Sequence, residues 1–188
     1  VCGVHGVMKA INKSAKLANV CYDIRGPIMD AAKQMAQKSI VLLKNDKQTL
    51  PISKQTKRIA VIGPLVKAVK EHLGFWSYDW DDDSARIPTL YQSVQQKVGS
   101  GSTLLYAKGC ELTDTSRAGF EEAVAAANQS DVVVLYVGET RSMSGEAKSR
   151  SNIHLPGVQE ELIKAVMATG KPVIVLIAAG RPLVFNWT

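Results

Sequence analysis

Four short apolar runs, separated by helical patterns, are the feature that most constrains the fold of this chain. The runs lie at 59–62, 103–107, 131–137 and 172–178. The third is Asp131 followed by Val-Val-Val-Leu-Tyr-Val, a continuous apolar run that is typical of a strand buried on both faces of a parallel sheet. Strands that alternate with helices are joined by right-handed crossovers, with helices on both faces. We therefore predict a doubly wound α/β fold in three layers, α/β/α.

The helices are predicted from apolar residues at helical spacing, together with proline or a capping residue at the start. The predicted helices are 28–45, 65–73, 88–98, 116–127 and 156–169. The stretch from Gly74 to Arg86 is rich in aromatic and acidic residues without a period, so we expect a loop there.

The loop that follows the third strand carries the candidate chemistry. It reads Gly138-Glu-Thr-Arg-Ser-Met-Ser-Gly-Glu-Ala-Lys-Ser-Arg150, which places carboxylates among glycines and serines. In α/β folds, catalytic and binding residues lie in loops at the carboxyl edge of the sheet. Glu146 is therefore a candidate, although on the residues alone a mobile surface glutamate is the alternative interpretation.

Charge and composition argue against several classes of partner. Residues 1–70 hold 13 Lys or Arg against 3 Asp, whereas residues 71–188 hold 10 against 14 Asp or Glu. The basic residues are scattered singly, so we expect a solvated face and no nucleic-acid partner. No apolar stretch approaches about 18 residues, so no membrane span is expected. Gly63-Pro64-Leu65 after the first strand lacks a glycine-rich phosphate motif, and no cofactor is predicted.

Metal-binding patterns are missing from the sequence as well. The cysteines and histidines show no zinc spacing, and the odd number of cysteines supports no disulfide framework: Cys2, Cys21, Cys110, His5, His72 and His154. The triplet Asp81 to Asp83 lacks the alternate spacing of a calcium loop and is interpreted as a solvated turn. We predict no metal site.

Several blocks of the sequence together resemble the second domain of family 3 glycoside hydrolases, the β-glucosidase family. Ser144-Gly-Glu-Ala-Lys-Ser-Arg150 resembles the acid/base loop of that family. Five further blocks occur in the family's order: Ser39-Ile-Val-Leu-Leu-Lys-Asn45, Leu50-Pro51, Ile59-Ala-Val-Ile-Gly-Pro64, Tyr106-Ala-Lys-Gly109 and Gly180-Arg-Pro-Leu183. Residues 1–26 match nothing recognised, so we divide the chain into an N-terminal segment of unclear origin, 1–26, and a partial second domain, 27–188.

The resemblance implies part of a retaining β-glucosidase that hydrolyses terminal β-D-glucosides. Glu146 is then the implied acid/base, and Glu139 is the second choice. The family's nucleophile lies on a preceding (β/α)8 barrel, and a barrel of roughly 200–250 residues does not fit before Ala31. Asp79 lies within this domain and is not assigned as the nucleophile. We therefore expect this fragment to be inactive alone, with the missing barrel as its partner.

The resemblance also implies substrate contacts. Leu73-Gly-Phe-Trp-Ser-Tyr-Asp-Trp80 resembles the family loop that supplies a tryptophan to the aglycone subsite, and Trp76 is the residue that aligns. An indole face stacks on the C–H face of a sugar, although packing residues are the alternative interpretation of Trp76 and Trp80. Arg150 and Lys148 are expected to anchor the loop or to contact substrate hydroxyls rather than to transfer a proton, because arginine stays protonated.

The remaining expectations concern partners and location. The family's domain continues with further strands, so we expect the missing segments to come from another chain, or the fragment to associate with itself. No signal peptide pattern is visible, while the family suggests a periplasmic or secreted enzyme. A non-catalytic α/β domain that binds carbohydrate or another protein is the alternative function, because a fold alone does not fix a function.

Overall fold

The computed structural model of this protein describes residue 28 and residues 30–77 and 87–185. The predicted N-terminal segment 1–26 lies outside the described residues, as do Asp79, Trp80 and the Asp81 to Asp83 triplet. The chain divides after Asn45 into two compact units. None of the described helices has the length and apolarity needed to cross a membrane.

In the first unit the described helix, α1, covers residue 28 and residues 30–39, and residues 40–45 are irregular. The prediction of a helix that continues to Asn45 is therefore wrong beyond Ser39. Ile40 and Val41 are β-branched and lose side-chain freedom in a helix, which favours a helix end before them. The Ser39 hydroxyl donates to the carbonyl oxygen of Ala36 at 2.8 Å, so it satisfies an acceptor of the last turn.

The second unit contains a four-stranded parallel sheet. Its strands are β1 (Arg58–Ile62), β2 (Thr103–Ala107), β3 (Val132–Gly138) and β4 (Val173–Ala178). The spatial order is β2-β1-β3-β4, with Ala60 opposite Val133 and Val134 opposite Ile174. The predicted strands and their parallel arrangement are confirmed.

Helices cover both faces of this sheet. They are α2 (Leu90–Val98), α3 (Phe120–Asn128) and α4 (Gln159–Met167). The α3 and α4 helices pack on the face that holds Ala60, Ile62, Val133 and Leu135, while α2 packs on the opposite face. Because the side chains of a strand alternate between faces, β1 and β3 are buried on both sides. The predicted three-layer α/β/α fold is confirmed.

Four predicted helix starts differ from those observed. The α2 helix begins after Thr89, whose hydroxyl accepts from the Gln92 backbone N–H at 3.2 Å while the Gln92 side chain accepts from the Thr89 N–H at 2.9 Å. This is a capping box, so Pro88 precedes the helix. The α4 helix begins at Gln159 rather than Pro156, because Gly157 has φ +62° and breaks the helical path.

The other two differences have local causes as well. The α3 helix begins at Phe120 rather than Ser116, because Ser116 instead forms a turn in which its hydroxyl accepts from the Ala118 N–H at 3.3 Å. The predicted helix 65–73 is reduced to a 3-10 helix, Lys70–Leu73. Residues 64–67 form turns instead, in which the Val66 N–H donates to the carbonyl oxygen of Gly63 at 3.3 Å and the Ala68 N–H to that of Leu65 at 3.1 Å.

A buried glutamine holds the carboxyl end of β3. Gln159 is 0% exposed, and its side-chain oxygen accepts from the Gly138 N–H at 2.9 Å. Its amide nitrogen donates to the carbonyl oxygens of Gly138 and Leu112, each at 2.8 Å. The amide therefore satisfies both backbone groups of the last β3 residue, where the next loop begins.

We expect Gln159→Leu to lower the free energy of unfolding by about 2–4 kcal/mol, because it leaves the buried Gly138 N–H and two carbonyl oxygens without partners. Urea denaturation followed by circular dichroism measures this loss. The control is Gln96→Leu, at an exposed position of α2, which should change stability little. Equal stability of the two variants would contradict the role of Gln159.

Candidate active site at the carboxyl edge of the sheet

The sheet has its topological switch point between β1 and β3. The chain passes from β1 to β2 on one side and then returns to β3 on the other side of β1. At such a switch point the connecting loops part, and ligands bind outside the carboxyl ends of the strands. The loops that follow β1, β3 and β4 all leave the sheet at this edge.

Glu146 lies in the loop after β3 and is exposed. Within the described part of the chain, its carboxylate makes no hydrogen bond or ion pair. The hydroxyl of Ser144, two residues earlier, donates instead to the carbonyl oxygen of Gly180, in the loop after β4, at 3.1 Å. The loop is therefore attached to a second loop close to Glu146, whose own side chain takes part in none of the described contacts.

Glu139 occupies a very different environment at the end of β3. Its side chain is 2% exposed and pairs with Arg150 and Arg181, which are 20% and 19% exposed. Arg150 donates to one carboxylate oxygen of Glu139, from which the Arg181 Nε lies 3.4 Å away, and the other oxygen accepts from the Gly180 N–H at 3.3 Å. Both carboxylate oxygens of Glu139 are thus used within the protein.

Sequence reasoning assigned no role to Arg181. Its Nη2 donates to the carbonyl oxygen of Met143 and, at 2.8 Å, to that of Lys148. Met143 and Lys148 lie on either side of Glu146 in the chain. The only signal in the sequence was the Gly180-Arg-Pro-Leu183 block, which indicated the family but no contact.

The loop after β1 also contacts the loop after β3. The Glu71 carboxylate accepts from the backbone N–H of Arg141, and the Arg141 guanidinium donates to the Ser77 hydroxyl at 3.2 Å. His72, in the same 3-10 helix as Glu71, stacks on Tyr136 with ring centroids 5.5 Å apart. Burial lowers the pKa of His72 and raises the pKa of Tyr136, so both rings are favoured uncharged at neutral pH.

Trp76 projects from this first loop with 73% of its surface exposed. The ring of Phe75 meets it edge to face, with centroids 5.1 Å apart and an interplanar angle of 86°. Phe75 in turn packs against Gly145, the residue before Glu146, and the Lys148 ammonium lies 5.8 Å from the Phe75 ring centroid. The exposed indole and the exposed carboxylate therefore lie on two loops in direct contact.

The structure thus brings the sequence-predicted residues together in two groups. Glu139 and Arg150 form the buried ion pair, whereas Glu146, Lys148 and Trp76 are exposed on the contacting loops. Among the described residues, no three His, Cys, Asp or Glu side chains lie close enough together to hold a metal ion.

A sheet-edge site of this kind, with an exposed carboxylate and an exposed indole on two contacting loops, is suited to carbohydrate chemistry. Residues 40–188 match the family described as the glycosyl hydrolase family 3 C-terminal domain. The chain therefore belongs to this family of glycoside hydrolase domains, as the sequence blocks predicted.

Two curated relatives illustrate the match. A β-xylosidase from Formosa agariphila is 42% identical over 161 residues, which cover 83% of this chain and 22% of the relative. A periplasmic β-glucosidase from Salmonella typhimurium is 39% identical over 172 residues, which cover 81% of this chain and 22% of the relative. The chain thus spans about a fifth of the length of these relatives.

Solved structures agree with the sequence relatives. A family 3 exo-β-xylosidase in complex with a xylobiose aziridine probe has a TM-score of 0.65 and 38% identity, over 80% of this chain and 19% of that one. A β-glucosidase from Listeria innocua in complex with isofagomine has a TM-score of 0.64 and 34% identity, over 76% of this chain and 19% of that one.

We expect Gly145→Ala to displace the loop that carries Glu146. Gly145 has φ +148°, and a Cβ there would overlap the Phe75 ring. The strained backbone costs about 1–3 kcal/mol of folding free energy, measured by urea denaturation. Gly101→Ala is the control, because a Cβ at Gly101 meets nothing within 4 Å. Wild-type stability for Gly145→Ala would show that the loop does not need glycine.

Proposed function

We propose that this chain supplies the acid/base part of a retaining β-glycosidase, with Glu146 as the acid/base and the nucleophile on a (β/α)8 barrel outside this chain. The observation that carries the proposal is the exposed Glu146 carboxylate, which has no partner among the described residues, on a loop attached to both neighbouring loops at the β1/β3 switch point. A carboxylate with free oxygens can reach a glycosidic bond bound across a domain interface.

The proposed reaction has two steps. In the first, the Glu146 carboxyl group donates its proton to the glycosidic oxygen while the barrel nucleophile attacks the anomeric carbon and the aglycone leaves. In the second, the Glu146 carboxylate takes a proton from water, which attacks the glycosyl-enzyme and releases the sugar with retained configuration. The same side chain must therefore be reachable by substrate and by water.

Glu139 fits this role less well than Glu146. Its side chain is 2% exposed, and its oxygens are occupied by Arg150 and by the Gly180 N–H. A general acid must lie within hydrogen-bond reach of the bond it cleaves, which a buried and occupied carboxylate does not. We propose that Glu139 organises the loop.

Substrate contacts are proposed for the exposed side chains. Trp76 offers its exposed indole to the aglycone, and the Phe75 ring packs against the indole in a T-shaped arrangement. Lys148 is exposed on the same loop as Glu146 and is proposed to contact substrate hydroxyls. Arg150 donates to Glu139 and, at 3.2 Å, to the carbonyl oxygen of His154, which supports an anchoring role.

Terminal β-D-glucosides are the proposed substrates, and β-D-xylosides are the second candidate. The periplasmic β-glucosidase, at 39% identity, favours β-D-glucosides, and the β-xylosidase of Formosa agariphila, at 42% identity, favours β-D-xylosides. The name of the periplasmic β-glucosidase also supports a periplasmic or secreted location.

Complementation tests whether the acid/base and the nucleophile lie on separate segments. We expect the 188-residue chain to show no hydrolysis of aryl β-glucosides or aryl β-xylosides alone, and turnover when it is mixed with the barrel segment of the same protein. Activity of the chain alone would contradict the proposal. No activity in a folded mixture would favour the non-catalytic binding domain.

Glu146→Ala in the full-length protein tests the acid/base assignment. We expect kcat to fall by about 100-fold or more for phenyl glycosides and far less for dinitrophenyl glycosides, because good leaving groups need no proton. Added azide should partly restore turnover of the dinitrophenyl substrate. The control is Glu122→Ala, an exposed glutamate on α3. Equal loss on both substrates would refute Glu146 as the acid/base.

A further inference from the structure

One guanidinium group connects the two sides of the loop that carries Glu146. The Arg181 Nη2 donates to the carbonyl oxygens of Met143 and Lys148, so a single nitrogen bridges the two ends of the four-residue segment between them. Arg181 itself lies three residues after β4, which ends at Ala178. The loop is therefore attached to the segment after β4, although it follows β3 in the chain.

The position of Arg181 is fixed in turn by Glu139. The Arg181 Nε forms an ion pair with a Glu139 carboxylate oxygen 3.4 Å away. Among the described residues, this Nε has no hydrogen-bond acceptor. The other oxygen accepts from Gly180 at 3.3 Å, and the Glu139 backbone N–H donates to Ala178 at 2.9 Å. Glu139 thus holds the segment after β4 against the end of β3.

Arginine suits this position because it places two nitrogens at two sites. Its Nη2 donates to both loop carbonyl oxygens, while its Nε lies 3.4 Å from the Glu139 carboxylate. A lysine ammonium is a single point charge on a flexible stem and has no second nitrogen for the other site. Arg181 is 19% exposed and Glu139 2% exposed on their side chains, so neither offers a free surface to substrate. Their contacts are with each other and with the loop.

We propose that Arg181, held by Glu139, is a positioning residue that fixes the acid/base carboxylate of Glu146 by bridging the carbonyl oxygens of Met143 and Lys148. This inference rests on the proposed function of Glu146. Proton transfer depends on placement, and an error of about 1 Å costs about 100-fold in rate. Arg181 therefore contributes to catalysis without contact to the reacting atoms.

The test compares Arg181→Met and Arg181→Lys with Arg117→Met in the full-length protein. Arg117 forms an exposed surface pair with Glu161 and serves as the matched control. Two readouts are followed: tryptic cleavage of the Lys148–Ser149 bond in the native protein, mapped by mass spectrometry, and kcat and KM for phenyl and dinitrophenyl glycosides.

We expect Arg181→Met to be cleaved faster after Lys148 and to lose about 10–100-fold in kcat on the phenyl substrate, with a smaller loss on the dinitrophenyl substrate and little change in KM. Arg181→Lys should fall between wild type and Arg181→Met, which keeps the test usable if the methionine variant does not fold. Arg117→Met should match wild type in both readouts.

Unchanged cleavage and unchanged kinetics would overturn the proposal, as would equal losses on both substrates or a rise in KM alone. Glu146→Ala, measured on the same substrates, separates the two ideas. If that variant shows no dependence on the leaving group, the proposed function of Glu146 fails, whereas faster cleavage of Arg181→Met would still establish the attachment of the loop.

Discussion

The site depends on the ion pairs and the hydrogen bond of the buried Glu139 carboxylate. A carboxylate at 2% side-chain exposure needs compensating partners, and here two guanidinium groups and a backbone N–H supply them. Because those partners come from the loops after β3 and β4, satisfying one charge fixes two segments against each other. Removing either arginine leaves a buried charge with fewer partners, so the arrangement is cooperative.

The sheet topology explains why these loops meet at all. The order β2-β1-β3-β4 places the reversal of winding between β1 and β3, and β4 lies next to β3. The loops that follow the adjacent strands β1, β3 and β4 therefore lie together at the carboxyl edge of the sheet. Phe75 joins the first loop to the second at Gly145, and Arg181 joins the third to the second. Among the residues that the structure describes, the neighbours of Glu146 make these contacts and its own side chain makes none.

Much of this fold could be predicted from the sequence, because buried parallel strands read as continuous apolar runs and strand ends locate sites. The run at 131–137 and the loop after it are examples. The predicted helix starts were wrong where one residue sets the start: Thr89 caps α2, and Gly157 has a positive φ before α4. The Arg181 contacts were missed because they join residues far apart in sequence, which no local pattern reports. The roles of Glu146 and Trp76 stay predictions.

The most direct test of the central claim is a crystal structure of the full-length protein with a bound glycosidase inhibitor. The measured quantity is the separation between the Glu146 carboxyl group and the nucleophile carboxylate of the barrel. A retaining mechanism with Glu146 as the acid/base predicts about 5–5.5 Å. A separation of about 6.5–9.5 Å, which suits inversion, or any larger one, would contradict it.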